Sequence, residues 1–483
     1  MRRVLIPVHI NTYFTGLLPL AIMLKQSSQF EPVILFCGNY PTLVNDFETC
    51  KRNAFEVCFS RDVNKALFQA MDHDQTMGYE KEEGVGKFKK YVDLLKSPRS
   101  LIKLILSRIF ANTIIWELIE ISQQIIYIRR LIRKENISLV VLPADNRYDF
   151  SVYVHAAHLE KTGVVVVPQF MAGPLEWAEY VWDQPPYQSR RLLNRLAGAL
   201  FPRWSLLYKG RKLVALPGAQ IIAKELFGIA PPLPWVLHSG LADAVAVESE
   251  AVQDYCLAEG LPSEKVRVTG SIAHDNMFDL LSDAEQKRSI ICKTLGFSVD
   301  RPLILSALPY DNLYMGRSEC DFQIYEELVE FWCRSISSIE GYNHVVALHP
   351  SVRYDDMKYI EEFGLKITRE PTASVIPLCD IFVASISSTI QWAIACGKPV
   401  LNYDVFRYRY TDYQNVEGVL TVEEQHEFIG LLKKLTSDSE YYRKISFQQV
   451  SSSKRWGVLD GMAGARLQDL FNSTIKTHNK END

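Results

Sequence analysis

"SISSTIQWAIACGKPVLNYD", residues 385–404, decides the reading of this chain. It follows the apolar run "IFVA" and places Ser387, Ser388 and Thr389 where a buried strand should turn into a helix. "TIQWAIAC" has the spacing of a buried helix, Gly397 suits the left-handed residue that ends one, and Lys398-Pro399 leads into a second strand, "PVLNYD". Strand, helix and strand at this spacing form a βαβ unit, and such units build parallel sheets. One hydroxyl is enough for an N-cap. Three in a row, beside the free N–H groups of a helix start, also make a phosphate site. Both readings stand at this point.

The alternation extends outward. Strands are expected at "DAVAVES", "VRVTGS", "LILSALP", "HVVALHP", "LKITRE" and "IFVASIS", with helical patterns between most of them. Residues 241–440 therefore read as a doubly wound, Rossmann-like α/β domain. Residues 1–175 show the same rhythm: "RVLIPVHI", a helix, "PVILFCGN", a polar excursion at 73–98, a long helix at 100–135, then "SLVVLPADN" and "VVVVPQ". Residues 176–240 break it and read as an insertion and linker; 441–483 read as a helical tail. The fold class expected is α/β, with two doubly wound parallel sheets.

A chain of 483 residues is too long for one ordinary core. Its composition is globular, 47% hydrophobic and 23% charged with mean hydropathy −0.05, and a net charge of −4 gives no pull toward nucleic acid. Nine cysteines show no CxxC spacing and read as reduced thiols in a cytoplasmic protein. The N-terminus "MRRVLIPVHINTYF" lacks a signal-peptide h-region, and four charges in 101–121 argue against a bilayer span.

Ligands of open parallel sheets bind beyond the carboxyl ends of the strands. The residues there are Gly270-Ser271, Ser306 to Tyr310, His349-Pro350, Thr368-Arg369-Glu370, Ser385 to Thr389 and Tyr403-Asp404. An imidazole at 349 suits donation to a phosphate oxygen, and equally a satisfied loop histidine.

Three stretches carry a resemblance: 243–275, "VVALHPS" at 345–351, and 376–404. They resemble the nucleotide-binding domain of GT-B-fold enzymes, including bacterial capsule and sialic-acid transferases, CDP-polyol phosphotransferases and UDP-N-acetylglucosamine 2-epimerases. The resemblance covers about 240–430; in 1–175 it rests on element order. It implies two Rossmann-like domains facing a cleft, with His349, Ser387, Ser388 and Thr389 on the donor phosphates and Gly270 and Ser271 bordering the pocket. Where the epimerase pattern has an acidic pair after Ile390-Gln391, this chain reads Trp392-Ala393. Glu370 and Asp404 are the substitutes considered for the nucleoside or sugar.

Such a transferase places its base on the first domain. The loops "VHINTYFTG" and "PADNRYD" offer His9 and Asp145, with Arg147 beside the latter to keep it ionised. Each equally suits a strand-end or capping role. No Asp-x-Asp follows a strand, so no metal and no cofactor are expected, and the leaving group would rest on side-chain and backbone donors.

Segment 184–224 holds Arg190, Arg191, Arg203 and five more basic residues, no acid, and interleaved aromatic and aliphatic side chains. It suits an anionic membrane face or a lipid-linked acceptor, or a basic, solvated helix pair. The function expected is a metal-independent, inverting glycosyltransferase of bacterial surface polysaccharide, capsule or lipopolysaccharide assembly. It would use a nucleotide sugar and a saccharide or lipid-linked acceptor, in the cytoplasm or at the inner membrane face. Alternatives are a 2-epimerase-like or polyol-phosphotransferase-like enzyme, and a non-catalytic nucleotide-sugar-binding protein.

Overall fold

The computed structural model describes residues 1–61, 63, 113–147, 149–169, 173–313, 319–350 and 352–480. The expected excursion at 73–98 and the first half of the helix expected at 100–135 lie outside them. The second half is the helix Ile114–Lys134, whose N-cap Thr113 accepts the Trp116 N–H.

Two parallel sheets organise the chain. The first has seven strands in the order β3-β2-β1-β4-β5-β8-β9. Its members are β1 (Arg2–Val8), β2 (Phe30–Phe36), β3 (Glu56–Phe59), β4 (Ile137–Leu142), β5 (Gly163–Val166), β8 (Ala244–Val247) and β9 (Val266–Val268). The second has six, in the order β12-β11-β10-β13-β14-β15. These are β10 (Leu303–Ala307), β11 (Asn343–Ala347), β12 (Lys366–Ile367), β13 (Ile381–Ala384), β14 (Val400–Tyr403) and β15 (Val419–Val422). The strand order of each parallel sheet reverses once, between β1 and β4 and between β10 and β13. Those are the switch points at which a doubly wound sheet opens a crevice. The strands are near-continuous apolar runs because helices cover both faces: Leu139 to Leu142 and Ile381 to Ala384 are fully buried.

The expected domain limit at 241 is corrected. β8 pairs with β5 through Val165–Ala244 and Val166–Val245, so β8 and β9 complete the first sheet, and the second begins at β10. Nothing local in the sequence marks the change, because alternation continues unbroken while the pairing partner switches. The expected tail divides as well. The helix Ser439–Trp456 packs on the second domain through Ile445 and Trp456. The last helix, Ala463–Lys480, crosses back and buries Leu467, Phe471 and Ile475 against the first domain's core.

The irregular segment is a small layer on the first domain. It contains the helices Pro174–Val181, Leu192–Leu200 and Gly218–Leu226 and an antiparallel hairpin, β6 (Ser205–Tyr208) with β7 (Arg211–Val214). A hairpin, not a second helix, occupies the middle of the basic stretch, because Lys209-Gly210, both at positive φ, turn the chain. Its own core is Trp204, Leu213, Val214, Ile221 and Trp235. Among the described residues, no helix is long and apolar enough to cross a membrane.

Candidate functional site

The carboxyl ends of β10 and β13 meet at a cavity of about 370 Å³ between the two domains. The second domain supplies Leu308 to Tyr310 after β10, His349 after β11, Ser385 to Ser388 after β13, and Tyr408, Tyr410, Asp412 and Tyr413 beyond β14. The first domain supplies Thr12 and Glu176. That volume falls in the range of small-ligand sites.

The turn after β13 is built under strain. Ile386 has φ 45°, a left-handed conformation that a β-branched residue rarely adopts, and its N–H is held by the Asn402 Oδ1 at 2.9 Å. This kink turns Ser385, Ser387 and Ser388 toward the cavity. The Ser385 hydroxyl is buried with no hydrogen-bond partner among the described residues, and the same holds for Oε1 of Gln391, which also lines the cavity. Ser387 Oγ lies 2.7 Å from Thr389 Oγ1 and accepts the Thr389 N–H at 3.3 Å. The helix begins at Thr389, with Ser388 as N-cap making no side-chain cap bond. Local capping therefore uses Ser387, Thr389 sits behind the cavity wall, and Ser388 remains exposed at its mouth. The His349 ring packs against Tyr310 with centroids 4.7 Å apart, and burial holds its pKa below the usual histidine value. It is thus a neutral imidazole at pH 7, a donor or acceptor without charge.

The loop after β14 forms the opposite wall. The Asp404 carboxylate accepts the N–H groups of Tyr408 and Arg409 at 3.0 and 2.6 Å and is fully buried. It is a brace for this loop and not a nucleoside ligand. Arg407 and Arg409, both at positive φ, point away to ion pairs with Asp321, Glu423 and Glu424. Tyr408 and Tyr410 stack at 4.9 Å on the cavity side. Glu370 lies on an exposed turn beyond β12, a strand at the sheet edge, and does not line the cavity.

Acidic groups converge from both domains. Glu176 lies in the first turn of the helix Pro174–Val181 and accepts the Gly173 N–H at 2.8 Å. Asp412 faces it across the cavity. Burial, then the charges of Glu176 and Glu259, push the Asp412 carboxyl up to about 7. The same groups raise the Tyr255 phenol, after burial. A carboxyl titrating near neutrality, in a cleft and beside others, is equipped for proton transfer.

Four expected residues, Asp145, Arg147, Gly270 and Ser271, are placed elsewhere. Asp145 is fully buried, and its two oxygens take four donors: Ser239 N–H and Oγ on Oδ1, Leu241 and Ala242 N–H on Oδ2. It is saturated and has no lone pair directed at an acceptor. Its neighbours do similar work: Asn146 donates to the carbonyls of Leu233, Pro234 and Val236, and Arg147 lies 4.0 Å over the Trp177 ring. The run "DNR" thus pins the 233–242 return into the first sheet. Gly270, at φ 77°, makes room for the last helix, since a Cβ there would stand 2.9 Å from the Ala463 Cβ. Ser271 is the N-cap of the helix Ile272–Ser282. Both belong to the crossing of the last helix and not to the cavity.

His9 lines a second cavity, of about 120 Å³, at the carboxyl ends of β1, β2 and β3, with Cys37, Ser60, Tyr127, Asp149 and Tyr153. Its ring stands edge-on to Phe150 at 4.8 Å, and burial lowers its pKa to about 4 despite the Asp149 charge. Trp392, in place of an acidic residue, donates Nε1–H to Glu248 of the first domain at 3.3 Å. In the basic segment Arg190 and Arg191 are exposed, while Arg203 pairs with Glu225 at 2.7 Å.

Solved structures with this architecture span nearly the whole chain. CalG4, the calicheamicin glycosyltransferase, superposes with TM-score 0.52 at 11% identity, covering 99% of this chain and 98% of its own. MnaA of S. aureus, in its co-structure with UDP, gives TM-score 0.50 at 14% identity over 99% of this chain and 97% of its own. The fold is GT-B. No family model matches the sequence, and no curated protein matches it. In this GT-B frame, the residues missed from sequence are Glu176, Gln391, Tyr408, Tyr410 and Asp412. One signal was available: "FRYRYTDYQN" at 406–415 is an aromatic and charged run directly beyond a buried strand.

Proposed function

We propose that the chain is a sugar-nucleotide-dependent glycosyltransferase that binds its donor in the interdomain cavity. The observation that carries this reading is the convergence there of Ser385, Ser387, Ser388 and His349 with the facing carboxyls Glu176 and Asp412. Hydroxyls and a neutral imidazole suit a diphosphate; the tyrosine wall suits a base or sugar face. Asp412, poised near pH 7 by burial and then by the charges of Glu176 and Glu259, takes the acceptor proton. His9 belongs to the acceptor side. Donor diphosphate held by protein donors leaves the transfer independent of a metal. The same cavity accommodates a 2-epimerase or a CDP-dependent polyol-phosphate transfer; the UDP in the MnaA co-structure favours a uridine nucleotide for the glycosyltransferase or the epimerase.

Surface-polysaccharide assembly is the finer part of the proposal. Leu192, Leu196 and Leu200 lie four residues apart on one helix and are 72%, 46% and 59% exposed, beside exposed Arg190, Arg191 and Arg195. An apolar stripe flanked by cations suits the inner membrane face and a lipid-linked acceptor.

Calorimetric titration with UDP, CMP, CDP and GDP tests the donor site. One nucleotide should bind at micromolar Kd, weakened at least tenfold by His349→Ala and by Ser387→Ala with Ser388→Ala. Binding of none would leave a non-catalytic protein of this fold. Asp412→Asn should retain nucleotide affinity and lose turnover.

A further inference from the structure

At the amino-terminal edge of the first sheet, opposite the cleft, three side chains distant in sequence meet. His158 lies in the last turn of the helix Phe150–Leu159, Asp243 precedes β8, and His478 lies in the last turn of the helix Ala463–Lys480. Nε2 of His158 is 3.2 Å from Oδ1 of Asp243, and Nε2 of His478 is 3.0 Å from Oδ2. The ligand atoms of all three lie within 4.8 Å of one another. The imidazoles are nearly parallel, 20° apart, with centroids at 5.7 Å.

We propose that His158, Asp243 and His478 bind a divalent transition-metal ion, Zn²⁺ foremost, which clasps the C-terminal helix to the first domain. Around zinc with bonds of about 2.0–2.1 Å, tetrahedral ligand atoms stand about 3.3 Å apart. With the carboxylate bound through one oxygen, one His–Asp edge already has that length within a few tenths of an ångström; the other His–Asp edge and the His–His edge, each within 4.8 Å, have to close. Two imidazoles and one carboxylate are a nitrogen–oxygen set that suits Zn²⁺ and excludes Ca²⁺ or Mg²⁺, which take oxygen ligands. Without metal, both Nε2–H groups donate to Asp243. Binding requires each ring to carry its proton on Nδ1 instead, so both rings remain neutral.

The site is oriented from behind. Asp243 Oδ2 accepts the Val164 N–H at 2.7 Å, and the Asp243 N–H donates to Val164 O at 3.0 Å, which fixes the carboxylate against β5. Gly163 brings the helix close enough: a Cβ there would stand 2.6 Å from Thr474 Cγ2 and 3.3 Å from Cδ2 of His478. The side chains are 37%, 28% and 16% exposed, so an ion and a fourth, water ligand can enter from solvent.

The test uses untagged full-length protein stripped with chelator and dialysed. Titration with Co²⁺ should give visible d–d bands saturating at one equivalent, reversed by one equivalent of Zn²⁺, and unaffected by Mg²⁺ or Ca²⁺. His158→Gln and His478→Gln should each weaken binding at least tenfold and Asp243→Asn likewise. Should a variant fail to fold, the wild type still decides: Zn²⁺ should protect His158 and His478 from diethylpyrocarbonate. Absence of a saturable Co²⁺ spectrum, variants that bind as tightly as wild type, or modification of both histidines unchanged by Zn²⁺ would each overturn the site and leave a hydrogen-bonded His–Asp–His tie.

Discussion

Asp145→Asn separates a structural role from a catalytic one. The carboxylate takes two donors on each oxygen, at 2.5 and 3.0 Å on Oδ1 and 2.7 and 3.2 Å on Oδ2. In asparagine one of those oxygens becomes an NH₂ group. Placed at Oδ2, it would face two backbone N–H groups. At Oδ1 it faces only the Ser239 N–H, because the Ser239 hydroxyl can rotate and accept. The second orientation wins, and it strands one buried backbone donor, at roughly 1–3 kcal/mol. The two bonds on the remaining oxygen also fall from charge-assisted to neutral, roughly 1 kcal/mol each. The total is roughly 3–5 kcal/mol, which for a domain of this size is a fall in Tm on the order of 10 °C. Thermal and urea melts read it directly. Below the transition, nucleotide affinity and turnover per folded molecule should match the wild type. A variant that melts like wild type but has no turnover would refute this reasoning and return Asp145 to the role of base.

Three further outcomes are expected. Asp412, raised from 3.8 to about 7, binds its proton more tightly folded than unfolded, so the wild type loses stability as pH rises from about 4 to 7. Asp412→Asn escapes this; it should be more stable above pH 7 by on the order of 2 kcal/mol, allowing for partial solvent contact, and show no gain near pH 4. Melts across pH 4–8 check it, and a difference independent of pH would contradict the burial argument. Ile386→Asn, which tolerates φ 45°, should stabilise by about 1 kcal/mol in urea melts; a loss would mean that side-chain packing outweighs backbone strain. Gly163→Ala should destabilise by roughly 1–3 kcal/mol, and adding Thr474→Ala, which removes the facing Cγ2, should recover most of it. Failure of that rescue would place the strain elsewhere.

The strands were legible because parallel strands buried on both faces are uninterrupted apolar runs, and the hydroxyls after "IFVA" were legible because a βαβ turn has a fixed place in such a sheet. β3 and β15 were missed: each is four residues long and lacks that fully buried run. The sheet to which β8 belongs was not legible at all. Strand identity is local, whereas the partner of Ala244 is Val165, seventy-nine residues earlier in the chain.

Polar residues failed by the same division. A residue type and its place after a strand are local; the direction of its lone pairs is not. Asp145 and Asp404 both follow buried strands, as ligand-binding carboxylates do, yet each is filled by backbone N–H groups from a loop whose return path only the fold defines. Asp412 and Glu176 show the converse. Each is unremarkable where it stands in the sequence, and each becomes chemically distinctive only through the other, since part of the lift on Asp412 is the charge of Glu176 across the cleft. His158, Asp243 and His478 extend this to metal chemistry, since their spacings fit no sequence motif and their ligand atoms converge only when the last helix returns to the first domain. In this chain the carboxyl proposed as the base is therefore one that the facing domain perturbs. Separating the domains should return Asp412 to the ordinary carboxylate range while leaving Asp145 fully bonded within the first.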